Sequence, residues 1–455
     1  MKQVSALGLG AGLPGEGISG KIRGMMSRSK MPYRLSLLFA LLVLAGVSHA
    51  QEGGAFLGLA QTAKRDLLRN FWRGDAVSGA MMREDHGLET QGRQEMIWAH
   101  ATMLFALDTF WRATGDEDAK RRIAAQWAFT KANFTEEALA RPGENPNRAM
   151  DDAGWDAMAY ALWFRHTGDP DAMRAAKNLI ANSYRYWCDD SVTNGLWYSR
   201  VPPSQGGGAE TRFKSLYAVG LVFAALDYTL CTGDDSLMSD TLAVYEWIER
   251  HLRRDRRAVY ADGLSGGGAY TVDVEDKLYW MEYNEERGNR RERNGPDGGT
   301  RPGHIREASS VSALFGNMAM SVIQARLYKM RGDEAYRVRA LETVRALVES
   351  PYYDCDGAFL NDRDAWVNGL FAGWWVSDVL TLPGMPQKAR DMIYTTARSI
   401  SAKARTPDGF YGAAWGSGTA WGSAGPTRPE QIMTSASTVN VIMAAALLEK
   451  LDTGL

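Results

Sequence analysis

From about residue 56 onward the apolar positions recur with the 3.6-residue period of amphipathic helices. They predict helical segments near 56–73, 94–112, 117–135, 152–165, 171–187, 212–230, 236–253, 308–330, 334–349, 365–381, 386–403 and 432–451. No alternation of β-branched residues runs long enough to predict a sheet. The segments alternate in kind. The second, fourth and sixth are apolar nearly all round, as in Trp155-Asp156-Ala157-Met158-Ala159-Tyr160-Ala161-Leu162-Trp163-Phe164, and such helices must be buried on every side. The third and fifth carry a single stripe: Ile123, Ala124, Trp127 and Ala128 in one, Met173, Ala176, Leu179 and Ile180 in the other. Those helices are wet on one side. Buried and half-buried helices in alternating hairpins predict an inner ring inside an outer ring, an all-α (α/α)6 barrel. A linear helical solenoid is the alternative, and it needs a tighter repeat.

The connections are of two lengths. Four of those leading from an inner to an outer helix are Thr114-Gly115-Asp116, Thr167-Gly168-Asp169, Thr232-Gly233-Asp234 and Arg331-Gly332-Asp333. Glycine suits the left-handed residue that ends a helix and aspartate the cap of the next, so these repeats are structural. Connections from outer to inner helices are long, near 74–93, 136–151, 188–211, 254–307, 350–364 and 404–431. In the expected barrel they share one face, where a binding site belongs. They hold Trp197, Tyr198, Tyr260, Tyr353, Phe410, Tyr411, Trp415 and Trp421, aromatic faces suited to sugar rings.

Composition narrows the function classes. Arginine and lysine total 52 against 54 acidic residues, a net charge of −2, so nothing draws the chain to nucleic acid or an acidic membrane. Cys188, Cys231 and Cys355 have no paired spacing, and the histidines form no HExxH-like array; neither a disulfide framework nor a metal centre is expected. At the N-terminus, Arg34 precedes the apolar run Leu35–Ala45, and Ser48-His49-Ala50 closes it. This reads as a signal peptide over 31–50 that is cleaved after Ala50. Residues 1–50 are therefore expected to be a leader and 51–455 a single catalytic domain, secreted or periplasmic, monomeric and without an integral membrane segment once cleaved.

Asp151-Asp152 stands where a long connection enters the fully apolar fourth helix. A helix start needs one capping carboxylate, and two exceed that need. Paired carboxyls are what glycoside hydrolysis uses: one ionised to attack the anomeric carbon, one protonated to release the leaving oxygen. The helix dipole favours one charge there, and repulsion raises the pKa of the other.

Asp151-Asp152-Ala153-Gly154-Trp155, followed by Ala159-Tyr160 and Thr167-Gly168-Asp169, resembles the DDxxW…TGD segment of glycoside hydrolase family 76, the endo-α-1,6-mannanases. Trp98 through Thr114-Gly115-Asp116 is similar to the family's preceding inner helix. Asn194-Gly195-Leu196-Trp197-Tyr198 resembles its GGxWW loop, Phe213-Lys214-Ser215 with Gly220-Leu221 its YKN…NGL helix, and Asp262-Gly263-Leu264 its DGL turn. The likeness covers about 90–270 well and extends more weakly to 335. It implies a retaining endo-α-mannanase-like hydrolase without cofactor or metal, Asp151 as nucleophile and Asp152 as acid/base. It implies a glycan substrate met by Trp98, Trp155, Trp197, Tyr198, Lys214, Asn317 and Trp415. The chain departs from the pattern in Leu314-Phe315-Gly316-Asn317-Met318, where the family has TYNQG, in Ser215 and in Thr102. The segment 270–306, with Glu282, Asn284, Glu285 and Glu286 beside Trp280 and Tyr283, has no counterpart in the family pattern and reads as a solvated charged loop, with binding of sugar or an ion as the alternative. Two other readings share the barrel: an epimerase or lyase with His100 or His304 as base, and a glycan-binding or glycan-transferring protein that does not hydrolyse.

Overall fold

The computed structural model describes residues 54–73, 97–141, 150–188, 195–196, 214–254, 258–261, 269–272, 276–280, 282–284, 289–291, 314–350, 353–359, 365–412, 415 and 431–454. The chain divides into two units, Met1–Glu52 and Gly53–Leu455, and all described residues lie in the second. The expected leader and its cleavage point lie outside them.

Twelve helical stretches follow the expected order among the described residues. They are α1 (Ala55–Phe71), α2 (Ile97–Thr114), α3 (Glu117–Asn133), α4 (Met150–Thr167), α5 (Pro170–Trp187), α6 (Val219–Thr232), α7 (Met238–His251), α8 (Leu314–Arg331), α9 (Glu334–Glu349), a broken α10, α11 (Gln387–Ser399) and α12 (Ile432–Thr453). Helices α2, α4, α6, α8, α10 and α12 each pack against the next, and α12 packs against α2, so the inner ring closes. The odd-numbered helices lie outside them. This is the (α/α)6 barrel, and the solenoid is excluded because a linear array has no contact between its ends.

Helices α4 and α6 are buried nearly all round because their sequences are apolar nearly all round, whereas α8 and α12 are buried with polar side chains among the apolar ones, Asn317, Ser321 and Gln324 in one and Thr434, Ser437 and Asn440 in the other. On α5 the expected stripe of Met173, Ala176, Leu179 and Ile180 is buried. On α3 the buried stripe is turned: Ile123 and Trp127 are inside with Gln126 and Thr130, while Ala124 is half-buried and Ala128 exposed. The Trp127 indole, stacked near Trp163 and donating to Asp169, fixes that rotation. Helix α12 is long and apolar enough to cross a membrane, but its whole apolar window is buried in the barrel.

The short turns are built as expected. Gly115, Gly168, Gly233 and Gly332 are all left-handed, with φ between 68° and 72°. Asp116, Asp169 and Asp333 cap the helices that follow, whereas Asp234 accepts from the Ser236 amide ahead of α7, whose N-cap is Leu237 without a side-chain cap. Three of these aspartates also receive a lysine from the outer helix of the previous hairpin: Lys64 to Asp116 (2.8 Å), Lys131 to Asp169 (3.0 Å) and Lys177 to Asp234 (2.7 Å). The repeated turn thus ties each of these hairpins to its neighbour.

Near these turns the lower end of the inner ring carries a belt of alternating charge. Asp108 of α2 meets His166 of α4 at 2.9 Å and Arg112 at 3.0 Å. Arg165 of α4 reaches Asp227 of α6, which accepts from Arg326 of α8 at 2.7 Å, and Arg326 donates onward to Asp378 of α10 at 2.8 Å. Arg112 closes the circuit on Ser377 of α10, and Lys450 of α12 donates to the Arg112 carbonyl. Burial by itself would raise the Asp108 carboxyl, but Arg112, Arg165 and the His166 hydrogen bond hold it far below its ordinary value.

Three features depart from the sequence expectation. Helix α10 is broken into Ala365–Asn368, Ala372–Trp374 and a π-helical stretch Trp375–Val379. At the break a Cβ on Gly369 would fall 1.9 Å from the Ser437 carbonyl, and α12 satisfies the freed backbone through Ser437 Oγ and Asn440 Nδ2. Second, α6 begins at Val219 after a 3-10 turn, Leu216–Ala218, rather than near 212; Lys214–Ser215 is a strand, β1. Third, short antiparallel pairs occur in the long connections: β2 (Ala258–Ala261) with β3 (Ala269–Val272), β6 (Asp354–Cys355) with β7 (Ala358–Phe359), and a three-stranded ladder β1–β4–β5 in which β4 is Glu282–Asn284 and β5 is Asn289–Arg291. Two to four residues per strand leave no alternation to be read from sequence.

Candidate active site

The first turns of the inner helices define the face on which the long connections gather. Helix α4 is under way at Met150, so Asp151 and Asp152 lie within its first turn and neither is its N-cap. Their surroundings differ. Asp151 is 3% exposed, whereas Asp152 is half-buried. Consecutive helical residues are turned about 100° apart, so the two carboxyls leave the helix in different directions.

Trp155 shows which direction is the barrel axis. It stands four residues after Asp151 and three after Asp152, hence on their face of α4. Its ring meets Phe315 of α8 and Phe371 beside α10 edge-on, with centroids 6.1 and 6.2 Å away. Helix α10 stands across the ring from α4, so Trp155, reaching Phe371, lies near the middle of the barrel with the aspartates one turn above it. Phe371 continues into Phe223 and Trp374, an aromatic plug beneath the pair. Helix α4 is set close to α6 by Gly154 and Gly220, whose backbones touch.

His100 lies in the first turn of α2, the inner helix beside α4. Burial lowers its pKa to about 4, so the imidazole is neutral at ordinary pH. Among the described residues no three His, Cys, Asp or Glu side chains converge closely enough to hold a metal ion.

Other expected site residues fall into two groups. The side chains of Trp98, Trp197 and Tyr198 lie outside the described residues, as does His304. Lys214, Asn317 and Trp415 are described, and all three are fully buried. Lys214 runs between Gly195, where a Cβ would fall 2.8 Å from its Cδ, and the Trp247 ring, with its ammonium 5.6 Å from the ring centroid. Asn317 lies inside the first turn of α8, where its Oδ1 accepts from the Tyr279 amide at 2.9 Å and its Nδ2 donates to the Tyr353 hydroxyl at 3.2 Å. Trp415 donates to Thr438 of α12 at 3.1 Å. These three hold connections against the barrel. Tyr353, Phe410 and Tyr411 are buried too, and Tyr411 meets Asp66 of α1. The aromatics of the long connections that can be placed are therefore anchors, a role that their composition alone does not separate from sugar stacking.

Sequence reasoning quoted Gly154 and Gly220 within motifs but did not read in them the close approach of α4 to α6, and it missed the clamp that Arg253, Arg254 and Glu249 form around residues 276–280. A glycine in an otherwise apolar helix was the available signal for the first. For the second there was none.

No protein-family model matches the chain, and no curated protein does. Solved structures do. The α-1,6-mannanase of Salegentibacter sp. HEL1_6 is 15% identical, with a TM-score of 0.60 over 86% of this chain and 99% of that one. The same enzyme aligns as an inactive variant, both of two adjacent aspartates changed to asparagine, in complex with α-1,6-mannotriose. A family 76 mannosidase from Bacteroides thetaiotaomicron VPI-5482 is 13% identical, with a TM-score of 0.61 over 87% and 99% of the two chains. Dfg5 from Chaetomium thermophilum, in complex with glucosamine, is 13% identical, with a TM-score of 0.57 over 87% and 90%. Identities this low speak for the fold, and the fold of this chain is the (α/α)6 barrel of the glycoside hydrolase family 76 structures.

Proposed function

We propose that this protein is an exported glycoside hydrolase of the family 76 kind, acting on α-1,6-mannan or a related glycan with net retention. One observation carries the reading: Asp151 and Asp152 stand together in the first turn of an inner helix, above the aromatic plug, on the face where the long connections gather. The mannanase of the same fold is inactive when two adjacent aspartates are replaced, which supports the same assignment.

In this reading the buried Asp151 carboxylate attacks the anomeric carbon while the bond to the leaving oxygen breaks. Asp152, open to solvent on one side, gives its proton to that oxygen. Water then attacks the glycosyl ester, Asp152 takes back a proton, and the Asp151 carboxylate is released. The α4 dipole stabilises one charge at this terminus, and the proximity of the two carboxyls favours protonation of the other. Trp98, Trp197 and Tyr198 would offer the sugar faces, while Trp155, buried in the plug, supports the aspartates from below and Lys214, Asn317 and Trp415 keep the walls in place. The test is reducing-sugar release from α-mannan with the anomeric configuration followed by NMR. Release of the β-anomer first from an α-linked chain would contradict retention, and no release from any mannan would remove the hydrolase reading.

A second reading, glycan binding or transfer without hydrolysis, draws on the departures at Ser215 and Asn317, both absorbed into wall contacts. Mannooligosaccharide binding without new reducing ends would favour it.

A further inference from the structure

The segment 270–306 behaves in part unlike a solvated loop. Its stretch 276–280 is a strap clamped to the barrel. Arg254 donates its amide to the Leu278 carbonyl at 2.7 Å and its carbonyl accepts from Lys277 at 3.0 Å, and the Trp280 amide donates to Leu252 at 2.8 Å. Within this strap Tyr279 is fully buried. Its amide donates to Asn317 Oδ1 at 2.9 Å, its hydroxyl donates to Glu249 of α7 at 2.5 Å, and the same hydroxyl accepts from Gln324 at 2.8 Å. Burial and the neighbouring Glu249 hold that hydroxyl well above its ordinary pKa, so it stays a donor.

Asn317 and Gln324 both belong to α8, seven residues and so about two turns apart on one face. That face is the outward one, since Gln324 also meets Thr343 of the outer helix α9 at 3.2 Å. Tyr279 therefore staples the outer side of α8 at two heights. Phe315 stands two residues before Asn317, about 200° round the helix, and so points the opposite way, towards the barrel axis. There its ring meets Trp155 of α4 at 6.1 Å and Tyr217 at 5.1 Å. Trp155 is also confined by the Gly220 backbone, where a Cβ would fall 3.1 Å from the indole. Helical side chains lean towards the N-terminus of their helix, so the Trp155 ring covers the turn that carries Asp151 and Asp152. The strap thus fixes α8, α8 fixes Phe315, and Phe315 presses on the ring that backs the aspartates.

We infer that Tyr279 is a positioning residue for the Asp151–Asp152 pair, acting through α8, Phe315 and Trp155. It touches no substrate. It comes from a segment without counterpart in the family pattern, so this chain sets its carboxyls with a part of its own. The inference rests on the hydrolase reading given above, in which the placing of the two carboxyls decides the rate. A displacement of about 1 Å, caused far from the chemistry, can cost about 10²-fold. Sugar contacts made by the connections are left in place, so the loss falls on kcat.

The experiment measures kcat, KM and the pH dependence of kcat on α-1,6-mannan for full-length wild type, Tyr279→Phe, Phe315→Leu and the double variant. Circular dichroism fixes a temperature at which each is folded. Arg326→Met, at the far end of the barrel, controls for lowered stability alone. Tyr279→Phe is expected to lower kcat about fivefold or more with KM within about twofold. It should also shift the alkaline limb of the kcat profile, which reports the proton donor, by about half a pH unit. In the Phe315→Leu background the link is already cut, so the double variant should fall within about twofold of Phe315→Leu. Multiplied losses in the double variant, an equal kcat loss in Arg326→Met, or wild-type kcat and pH profile in folded Tyr279→Phe each overturn the inference alone. Should Tyr279→Phe not fold, Gln324→Met removes the hydroxyl's partner on α8 and carries the same expectations. Wild-type protein that releases no sugar from any α-mannan overturns the hydrolase reading and this inference with it.

Discussion

Gly154 and Gly220 meet backbone to backbone: a Cβ on Gly154 would stand 3.0 Å from the Leu221 amide nitrogen and 3.1 Å from the Gly220 Cα. This contact sets the distance between the helix bearing the aspartates and the next inner helix. Gly154→Ala must push two buried helices apart, because the atoms it meets are backbone and cannot swing aside. Overpacking of this kind costs about 1–3 kcal/mol. We expect a lower unfolding midpoint in urea and, because Asp151 and Asp152 ride on the displaced first turn, a drop in kcat larger than the stability loss explains at a permissive temperature. Wild-type activity in a destabilised variant would separate the contact from the site.

The two aspartates are expected to fail differently. Asp151→Asn removes the proposed nucleophile and should abolish turnover of every substrate. Asp152→Asn removes the proton donor, so hydrolysis of mannan should fall by about 10²-fold or more, the usual range for a general acid. An aryl α-mannoside whose leaving group needs no proton should still release its phenol in a burst. Steady-state and stopped-flow assays distinguish the cases. Equal residual activity of both variants on both substrates would refute the division of roles.

Much of this fold is written in sequence because it depends on local rules. Helical period, the all-round apolarity of α4 and α6, and the glycine and aspartate of the short turns each act within a few residues, and the closed ring follows from their alternation. What was not legible is long-range. Nothing within Lys214-Ser215 tells that β4 will pair with it, and the break in α10 is decided by Ser437 and Asn440, some 70 positions away. The same division holds at the site. Asp151-Asp152 stands out locally, whereas the burial of Asn317 and Trp415 depends on Tyr279 and Thr438, which no local pattern connects to them.

His100 makes stability depend on pH in a defined window. Its folded pKa, about 4, lies below the ordinary value of 6.5 because burial disfavours the imidazolium. Between those values the unfolded chain binds a proton that the folded chain does not, so stability falls as the pH is lowered from about 6.5 towards 4 and this contribution then levels off. The slope is about 1.4 kcal/mol per pH unit and the total about 3 kcal/mol. His100→Gln removes the titrating group. Urea unfolding of the two proteins from pH 7 to pH 4 should show a shallower dependence in the variant, with the difference gone above pH 7. Parallel curves would mean that the imidazole is charged in the fold.

Arg326 joins three inner helices at the far end of the barrel. It donates to Asp227 at 2.7 Å and Asp378 at 2.8 Å, and its guanidinium lies 4.0 Å from the Phe223 centroid. Removing one partner of a buried ion pair leaves a carboxylate uncompensated, which costs about 3–5 kcal/mol, more than the pair itself contributes. Arg165 and Lys329 still reach the two aspartates, so the lower part of that range is expected for Arg326→Met. Arg326→Lys keeps the charge but not the planar fork that serves both carboxylates at once, and it should recover only part of the loss. Asp152 and Arg165 are 13 residues apart on α4, about 20 Å along its axis, so the belt lies far from the proposed chemistry. Both variants should therefore keep wild-type KM and kcat at low temperature while unfolding earlier on heating. Loss of activity without loss of stability would show that the belt acts on the site, and an unchanged unfolding temperature would show that the ring does not depend on it.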